Sequence, residues 1–242
     1  MSPRSKPRAR WGRRVLAAVL LAAAAVVGWE ILTWPEVERL RRERPTSTAF
    51  IDDYRARLRA QGKPAPVAWT WTPYAAISAD LKRAVLVAED INFFSHGGFD
   101  FGEVRNALTD AVRDRELPRG ASTISQQLAK NLWLSGSRSP YRKVKEAILT
   151  WQLERTLSKR RILELYLNVA EFGPGVYGAG AASRRYFGRS ADGLGPAEAA
   201  ALAAGLPMPS AWHPGVETTA YRRRVAAILR SMDRAAFLVR QI

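Results

Sequence analysis

The sequence contains no cysteine, and its 242 residues include only two histidines. A chain without cysteine forms no disulfides, so an exported part of it depends on its hydrophobic core for stability. Acidic residues are also scarce, since 22 Asp and Glu stand against 38 Lys and Arg, and the formal net charge is +16. A surface this basic favours an anionic partner, either anionic lipid headgroups or an anionic substrate.

The N-terminal segment combines a basic tail with a long apolar run. Residues 1–14 contain several Lys and Arg and no acid, and Val15–Trp29 contains no charged residue. Extended to Trp34, the run of about 20 residues makes a helix of about 30 Å, which matches the hydrocarbon core of a bilayer. A cleaved signal peptide is the alternative, but its apolar core is usually shorter and ends at an A-x-A site. The pattern therefore favours a retained transmembrane helix at 15–34.

The charge asymmetry of this segment predicts the topology. By the positive-inside rule the basic tail stays in the cytoplasm, and the chain after about residue 35 lies on the other side of the membrane. Nucleic acid, another usual partner of basic proteins, would then lie on the wrong side. We therefore expect a membrane partner and no nucleic acid.

The remaining sequence divides into a connector and one large domain. Residues 35–75 are predicted as a charge-dense juxtamembrane segment followed by an extended stretch rich in Pro and Trp, and residues 76–242 as the domain. In the domain, apolar residues recur at helical spacing, for example from Leu81 to Ala88, which predicts a helix ending at Glu89–Asp90. No convincing period-2 run appears, so the domain is predicted to be mostly α. Three serines are predicted to cap later helices: Ser122, Ser139 and Ser158.

The stretch VAEDINFFSHGGFD, residues 87–100, places two adjacent carboxylates at the end of the first predicted helix of the domain. Two rings, Phe93 and Phe94, follow Glu89 and Asp90 closely. A carboxylate beside aromatic rings has its charged form disfavoured, so its pKa rises toward the range useful for proton transfer. A solvated helix end followed by a glycine turn explains the same residues, and this motif alone leaves both interpretations open.

A second cluster, RGASTISQQLAKN at 119–131, gathers many uncharged hydrogen-bonding side chains on two helical turns. Such groups suit sugar hydroxyls, amides and phosphate oxygens, and a helix N-terminus favours an anion. An exposed polar helix start is the alternative. The candidate binding residues are Ser122, Thr123, Gln126, Gln127, Lys130 and Asn131.

A third cluster, SPYRKVKEAILTWQLE at 139–154, holds Arg142, Lys145 and Glu146 within two turns. Leu149 and Leu153 continue the side of Glu146, which predicts that Glu146 lies at the edge of a buried stripe. Arg142 and Lys145 then offer donors suited to phosphate. A solvated charged face with ordinary ion pairs is the alternative.

Together the three clusters resemble the glycosyltransferase family that polymerises peptidoglycan. The Glu-Asp pair of that family, followed by an aromatic, His and Gly, matches the stretch from Glu89 to Gly98. Its Gly-x-Ser-Thr-x-x-Gln-Gln-x-x-Lys-Asn run matches Gly120 to Asn131, and its Arg-Lys-x-x-Glu matches Arg142 to Glu146. The family's Lys-x-x-Ile-Leu-x-x-Tyr-Leu-Asn run matches Ile162 to Asn168, and its first Lys is matched loosely by Lys159 or Arg160. Order and spacing agree from about Trp71 to Pro209.

The resemblance is to the monofunctional members of the family, because the chain has no Ser-x-x-Lys, no Lys-Thr-Gly and no room for a transpeptidase domain. It implies a mostly α, lysozyme-like helical glycosyltransferase domain at 76–242 behind one N-terminal transmembrane helix. It further implies the bacterial inner membrane as location, with the catalytic domain in the periplasm. Other cell-wall synthesis or division proteins are further candidate partners.

The resemblance also implies a reaction. The substrates are expected to be lipid-linked disaccharide-pentapeptide (lipid II) and a growing glycan chain, joined by a β-1,4 linkage with release of undecaprenyl pyrophosphate. Glu89 is the expected base, and Glu146 is expected to position donors or a cation. Four cations are expected to neutralise the pyrophosphate: Lys130, Arg138, Arg142 and Lys145.

One cofactor is considered, a divalent cation such as magnesium that bridges phosphate oxygens. No residue spacing marks a dedicated metal site, and His96 is interpreted as a structural hydrogen-bonding residue.

Two expectations concern the membrane. A patch formed by Phe99, Phe101, Val104 and Leu108 is hypothesised to reach the bilayer, with core packing as the alternative. A truncated chain that starts near Thr46 is expected to fold, because the site residues and the regular helical pattern lie after it.

Two other classes of protein share part of this pattern. A lytic enzyme of lysozyme-like fold also uses an acidic residue against a sugar polymer, but it needs neither a cationic phosphate site nor a lipid carrier. A non-catalytic membrane scaffold with a basic face leaves the Ser-Thr-Gln-Gln run unexplained.

Overall fold

The computed structural model describes residues 8–114, 122–134, 136 and 139–242, although within 8–10, 107–112 and 114 some side chains are not described. The chain forms two compact units, of which the first ends at Glu36 and the second is Val37–Ile242.

The first unit contains one helix, α1, at Arg8–Leu32. Among the described residues it is the one helix long and apolar enough to cross a membrane. Its 25 residues make a rod of about 37 Å, and large side chains such as Leu21 and Ile31 are exposed along it. An exposed apolar helix of this length is suited to a lipid environment, so α1 anchors the protein to a membrane.

The second unit is mostly helical, as the sequence predicts. Its described helices are α2 (Ala49–Ala60), α3 (Ala79–Glu89), α4 (Phe101–Asp114), α5 (Ile124–Trp133), α6 (Pro140–Thr156), α7 (Lys159–Val169), α8 (Ala179–Phe187), α9 (Pro196–Gly205) and α10 (Thr219–Arg234). Short 3₁₀ turns lie at Val37–Arg41, Tyr74–Ala76, Ala191–Gly193 and Ala236–Arg240.

Side-chain caps fix where these helices begin. The hydroxyl of Ser139 accepts a hydrogen bond from Arg142 N, and that of Ser158 accepts one from Arg161 N, so both predicted caps are confirmed. The predicted cap at Ser122 is wrong by one residue, because Thr123 occupies that position and forms a capping box with Gln126.

Helix α5 lies at the centre of the domain and packs against α2, α6 and α7, while α3 packs against α9 and α10. Leu128 on α5 and Leu149 and Leu153 on α6 are fully buried. Glu146 shares this stripe, as the spacing predicts, and its residue is only 2% exposed. Burying a carboxylate is costly unless it is paired, so Glu146 requires cationic partners.

A small sheet that the sequence patterns do not predict joins the connector to the domain. Its strands are β1 (Ala68–Trp69), β2 (Glu171–Gly173) and β3 (Val176–Tyr177), in the order β1-β3-β2. Strand β3 pairs parallel to β1 and antiparallel to β2. Runs of two or three residues are too short to show an alternating pattern.

The segment predicted as a connector belongs to the compact unit from residue 37 onward. Val37, Leu40 and Ile51 are buried. Asn168 holds the later part, because its Oδ1 accepts a hydrogen bond from Thr72 N at 2.6 Å and its Nδ2 donates to Thr72 O at 2.8 Å. These contacts place the start of the domain closer to residue 37 than to residue 76.

Candidate active site

Asp90 joins the end of α3 to the beginning of α5. Its Oδ2 accepts a hydrogen bond from Ile124 N at 2.9 Å, and its Oδ1 lies 2.9 Å from His96 Nε2. Gly98 N donates to His96 Nδ1 at 3.1 Å, so Nε2 is the ring nitrogen that carries a proton and donates to Asp90. Asp90 and His96 therefore fix the geometry of the junction, and the adjacent Glu89 is directed at α5.

Glu89 accepts hydrogen bonds at both of its oxygens. Gln127 Nε2 donates to Oε2 at 2.9 Å, and Arg224 Nη2 on α10 donates to Oε1 at 3.3 Å. The hydroxyl of Tyr166 in turn donates to Gln127 Oε1 at 2.9 Å. Three helices thus orient the carboxylate, whose side chain is only 10% exposed.

Burial raises the pKa of Glu89 above its usual value. The hydrogen bond from Gln127 and the charges of Arg224 and Lys130 oppose this rise, and the charge of Asp90 adds to it. The sequence attributes the rise to Phe93 and Phe94. The Phe93 ring packs against Phe94 and His96 and lies 4.4 Å from the Lys159 ammonium. Burial is the largest cause of the raised pKa, and its attribution to the two phenylalanine rings stays a prediction.

A cationic cluster surrounds Glu146 on α6. Arg142 Nη1 donates to Glu146 Oε2 at 2.8 Å, and Lys143 Nζ donates to Oε1. The Glu146 side chain is 3% exposed, whereas that of Lys143 is 52% exposed. With a cation on each oxygen, Glu146 is suited to holding donors in place rather than to moving a proton.

Lys130 on α5 connects the two carboxylates. Burial lowers the pKa of Lys130 below its usual value, the charges of Glu146 and Glu89 oppose this, and those of Arg142 and Lys143 add to it. Its ammonium lies 5.4 Å from the centre of the Phe50 ring. A half-buried cation close to two carboxylates and two other cations forms a site in which an incoming anion would balance the charge.

The family model described as Transglycosylase matches residues 59–233 of this chain. The chain belongs to the transglycosylase family. Biosynthetic peptidoglycan transglycosylases match it at 50% identity over 203 residues in Azoarcus sp. (strain BH72), at 45% over 231 residues in Thiobacillus denitrificans and at 41% over 226 residues in Bordetella avium. The aligned regions cover 83%, 94% and 92% of this chain and 85%, 97% and 94% of the relatives, respectively.

Membership confirms the predicted fold class, a lysozyme-like helical domain with one N-terminal apolar helix. It also confirms that the chain is an enzyme that transfers glycosyl groups. Every residue that contacts Glu89 or Glu146 in the preceding paragraphs lies inside the matched region.

Several residues of the transglycosylase's polar run take part in local structure. Thr123 Oγ1 donates to Gly98 O at 2.7 Å, and Gln126 Oε1 accepts from Thr123 N at 3.0 Å, so these side chains hold the start of α5. Ser122 contributes its carbonyl oxygen, 3.5 Å from Gln127 Nε2, and Asn131 is buried. A role for these residues in substrate binding stays a prediction.

Two further cations were predicted for the site, Lys145 and Arg138. Lys145 is half-buried on α6, and its role in binding also stays a prediction. Arg138 lies outside the described residues, as does Gly120 of the family motif.

Two contributors were missed by the sequence analysis as site residues, Arg224 and Lys143. Arg224 is 135 positions from Glu89, so local spacing does not connect them. A usable signal exists, since Arg224 lies between Tyr221 and Ile228 on the buried face of α10, and a charge in an apolar stripe requires a partner. Lys143 also carries a usable signal. It lies three positions before Glu146 on the same helix, so it is as much a neighbour of Glu146 as Arg142, which lies four positions before it.

The described residues contain no group of three or more His, Asp or Glu side chains that could hold a metal ion. Both oxygens of Glu89 and of Glu146 already accept hydrogen bonds from cations or an amide. The described carboxylates therefore do not fit a dedicated protein-bound metal centre.

Proposed function

We infer that the chain is a peptidoglycan glycosyltransferase, and we propose that it polymerises lipid II into β-1,4 glycan strands with release of undecaprenyl pyrophosphate. Family membership supports the class of enzyme. The observation that carries the proposed mechanism is the pairing of a buried Glu89 of raised pKa with the cationic cluster of Lys130, Arg142 and Lys143.

In the proposed reaction Glu89 is the general base. The 4-hydroxyl of the acceptor sugar gives its proton to Glu89 while its oxygen attacks the anomeric carbon of the donor. A carboxylate of raised pKa accepts that proton more readily than an ordinary Glu. Gln127 and Arg224 keep it oriented, so little reorganisation is needed during the reaction.

The leaving pyrophosphate requires neutralisation of charge more than it requires a proton. Lys130, Arg142 and Lys143 supply three positive charges around the buried Glu146, which holds two of them by hydrogen bonds. Arg138 and Lys145 extend this proposed set. The steps above use side chains of this chain, and a divalent cation such as magnesium, which would help to neutralise the phosphates, stays a prediction.

The anchor keeps the enzyme where its substrates are. We assign α1 to the cytoplasmic membrane with the basic N-terminus in the cytoplasm and the domain in the periplasm. A tether raises the local concentration of enzyme around a lipid-linked substrate. Phe101, which is 78% exposed, and Val104 belong to the hypothesised bilayer patch, whereas the side chain of Leu108 lies outside the described set.

The test is polymerisation of labelled lipid II by the full chain in detergent. We expect polymer from the unaltered protein and a loss of at least ~10²-fold for Glu89→Gln, the usual effect of removing a general base. Glu217→Gln, an exposed acid before α10, is the matched control and should keep full activity. Near-normal turnover by a folded Glu89→Gln protein contradicts the assignment of the base, and cleavage of preformed glycan without polymerisation supports the lytic alternative.

A further inference from the structure

A cavity of about 360 Å³ lies beside the active site and is used by none of the steps above. It lies between α2 and the strands β2 and β3. The six side chains that line it are Phe50, Asp53, Tyr54, Arg57, Glu171 and Tyr177.

Three aromatic rings form the apolar walls of the cavity. The Tyr54 and Tyr177 rings pack edge to face, with centroids 6.2 Å apart at an interplanar angle of 72°. Gly175 permits this position of Tyr54, because its φ is +72° and a Cβ there would come within 2.7 Å of the Tyr54 hydroxyl. Tyr177 is 1% exposed, so its ring is fixed. These constraints make the walls rigid and pre-formed.

The polar groups of the cavity include acceptors and a donor. Asp53 and Glu171 contribute carboxylates, and Asp53 Oδ2 accepts a hydrogen bond from Gly136 N at 3.4 Å. Arg57 holds its guanidinium 5.7 Å from the centre of the Tyr54 ring and interacts electrostatically with Glu171. Two negative charges and one positive charge make the cavity unsuited to phosphate. The charge of Arg57 partly neutralises the two carboxylates, so the cavity also attracts cations less strongly.

The cavity adjoins the active site through Phe50. Phe50 lines the cavity, and the Lys130 ammonium lies 5.4 Å from the centre of the Phe50 ring. Lys130 in turn interacts with both Glu89 and Glu146. Phe50 is therefore shared by the cavity and the surroundings of Lys130, so a polymer bound at the reacting groups has the cavity as its neighbour.

We propose that this cavity is a subsite for a sugar ring of the glycan strand, beyond the ring that reacts. A sugar offers hydroxyls that both donate and accept, which matches the carboxylates and the guanidinium, and an apolar face that matches the tyrosine rings. The cavity has the size and the mixture of apolar walls and few polar groups typical of small-ligand sites. This inference rests on the proposed function, because the strand it binds is the product of that reaction.

The first test measures the length of the glycan. Glu171→Gln and Asp53→Asn each remove the charge of one acceptor while conserving shape, and a lost hydrogen bond to a charged group weakens binding about tenfold. A strand that dissociates faster is extended fewer times, so we expect the mean product length to fall about fivefold or more, and by a larger factor than the rate of forming the first linkage. Asp52→Asn is the matched control, because Asp52 is the neighbour of Asp53 on α2 and does not line the cavity; its products should keep their length.

The second test uses the unaltered full chain in detergent and a β-1,4-linked tetramer of N-acetylglucosamine as the probe. We expect saturable chemical-shift changes at the amides of Tyr54, Gly136 and Tyr177. If the chemical-shift changes are confined to other regions, or if there are none, the proposal is overturned. This result does not depend on whether the variants fold, because the probe is added to the unaltered protein. Equal product lengths for the unaltered protein, Glu171→Gln and Asp53→Asn would also overturn it. Absence of any polymer from the unaltered protein is a different result, which rejects the proposed function.

Discussion

The ion pair between Arg224 and Glu89 allows a sharp test of the proposed base. Arg224→Gln removes the positive charge but keeps an amide that can donate to the carboxylate. Because the charge of Arg224 lowers the pKa of Glu89, its loss raises that pKa further. Glu89 then remains protonated, and inactive as a base, up to a higher pH.

The separation of 3.3 Å between Arg224 Nη2 and Glu89 Oε1 limits the size of this effect. Two unit charges at that distance interact by about 5 kcal/mol at an effective dielectric of ~20. The Arg224 side chain is 32% exposed and the guanidinium charge is delocalised, so solvent screens much of this energy. We therefore take the lower end of the usual range for an adjacent opposite charge, about one pH unit or ~1.4 kcal/mol.

The assay is the pH dependence of kcat/KM for polymerisation between pH 5 and 9, whose acidic limb reports the pKa of the base in the free enzyme. We expect the limb of Arg224→Gln to move up by about one unit, that of Arg224→Lys to move less, and that of Arg223→Ala, an exposed neighbour on α10, to stay in place. An acidic limb that is unmoved in Arg224→Gln, with a uniform fall in rate at every pH, would mean that Arg224 only supports the fold and that its charge does not act on the base.

Three further predictions concern the stability of the fold. Glu146→Gln leaves Arg142 and Lys143 without their anion and should lower the free energy of unfolding by about 3 kcal/mol. Glu89→Gln should not lower it at neutral pH, since burial already disfavours the charge of Glu89. Denaturant titration compares the two variants, and equal losses of stability would argue against the structural role of Glu146. Ser139→Ala should lower the free energy of unfolding by about 1 kcal/mol, because the cap on Arg142 N is lost. Ser139→Asp should leave it nearly unchanged in the same titration. A larger loss of stability for Asp than for Ala would refute capping. A chain that starts at Val37 should keep its thermal stability in detergent. One that starts at Thr46 should lose about 3 kcal/mol or more of its free energy of unfolding, because it lacks the buried Val37 and Leu40. Equal melting temperatures of the two would support the expectation from the sequence that the shorter chain folds.

The third of these predictions differs from an expectation drawn from the sequence alone. Residues after Ile77 show clear helical periodicity, and the segment before them does not, so the sequence suggests that a chain starting near Thr46 would fold. In the structure Arg161 Nε donates to Leu40 O at 2.8 Å and Arg161 Nη2 donates to Glu43 O at 2.6 Å. Contacts between residues about 120 positions apart leave no periodic trace in either segment.

Most of the helical frame could be predicted because local chemistry encodes it. Ser139 with Pro140, and Ser158, specify helix starts through their own side chains, and the apolar spacing from Leu81 to Ala88 specifies α3. The sheet could not be predicted, because two- and three-residue strands carry no alternation, and β1 pairs with β3 across more than 100 residues.

The site divides in the same way. Glu89 and Glu146 could be identified from motifs, since their neighbours in sequence belong to the same motifs. The ring of partners around Glu89 is tertiary, because Arg224 comes from α10 and Gln127 from α5. Burial is the largest cause of the raised pKa of Glu89, and the part of that burial that comes from other helices is not visible in the residues that follow Glu89.

The chain of hydrogen bonds from Tyr166 through Gln127 to Glu89 has a consequence for the movement of protons. Tyr166 donates to the carbonyl oxygen of Gln127, and the amide nitrogen of Gln127 donates to Glu89. A primary amide neither gains nor loses a proton near neutral pH, so this chain orients Glu89 but cannot conduct a proton to or from it. Arg224, on the other oxygen, is permanently charged and cannot accept one. The proton that Glu89 takes in each round must therefore leave by a route other than these two hydrogen-bonded partners.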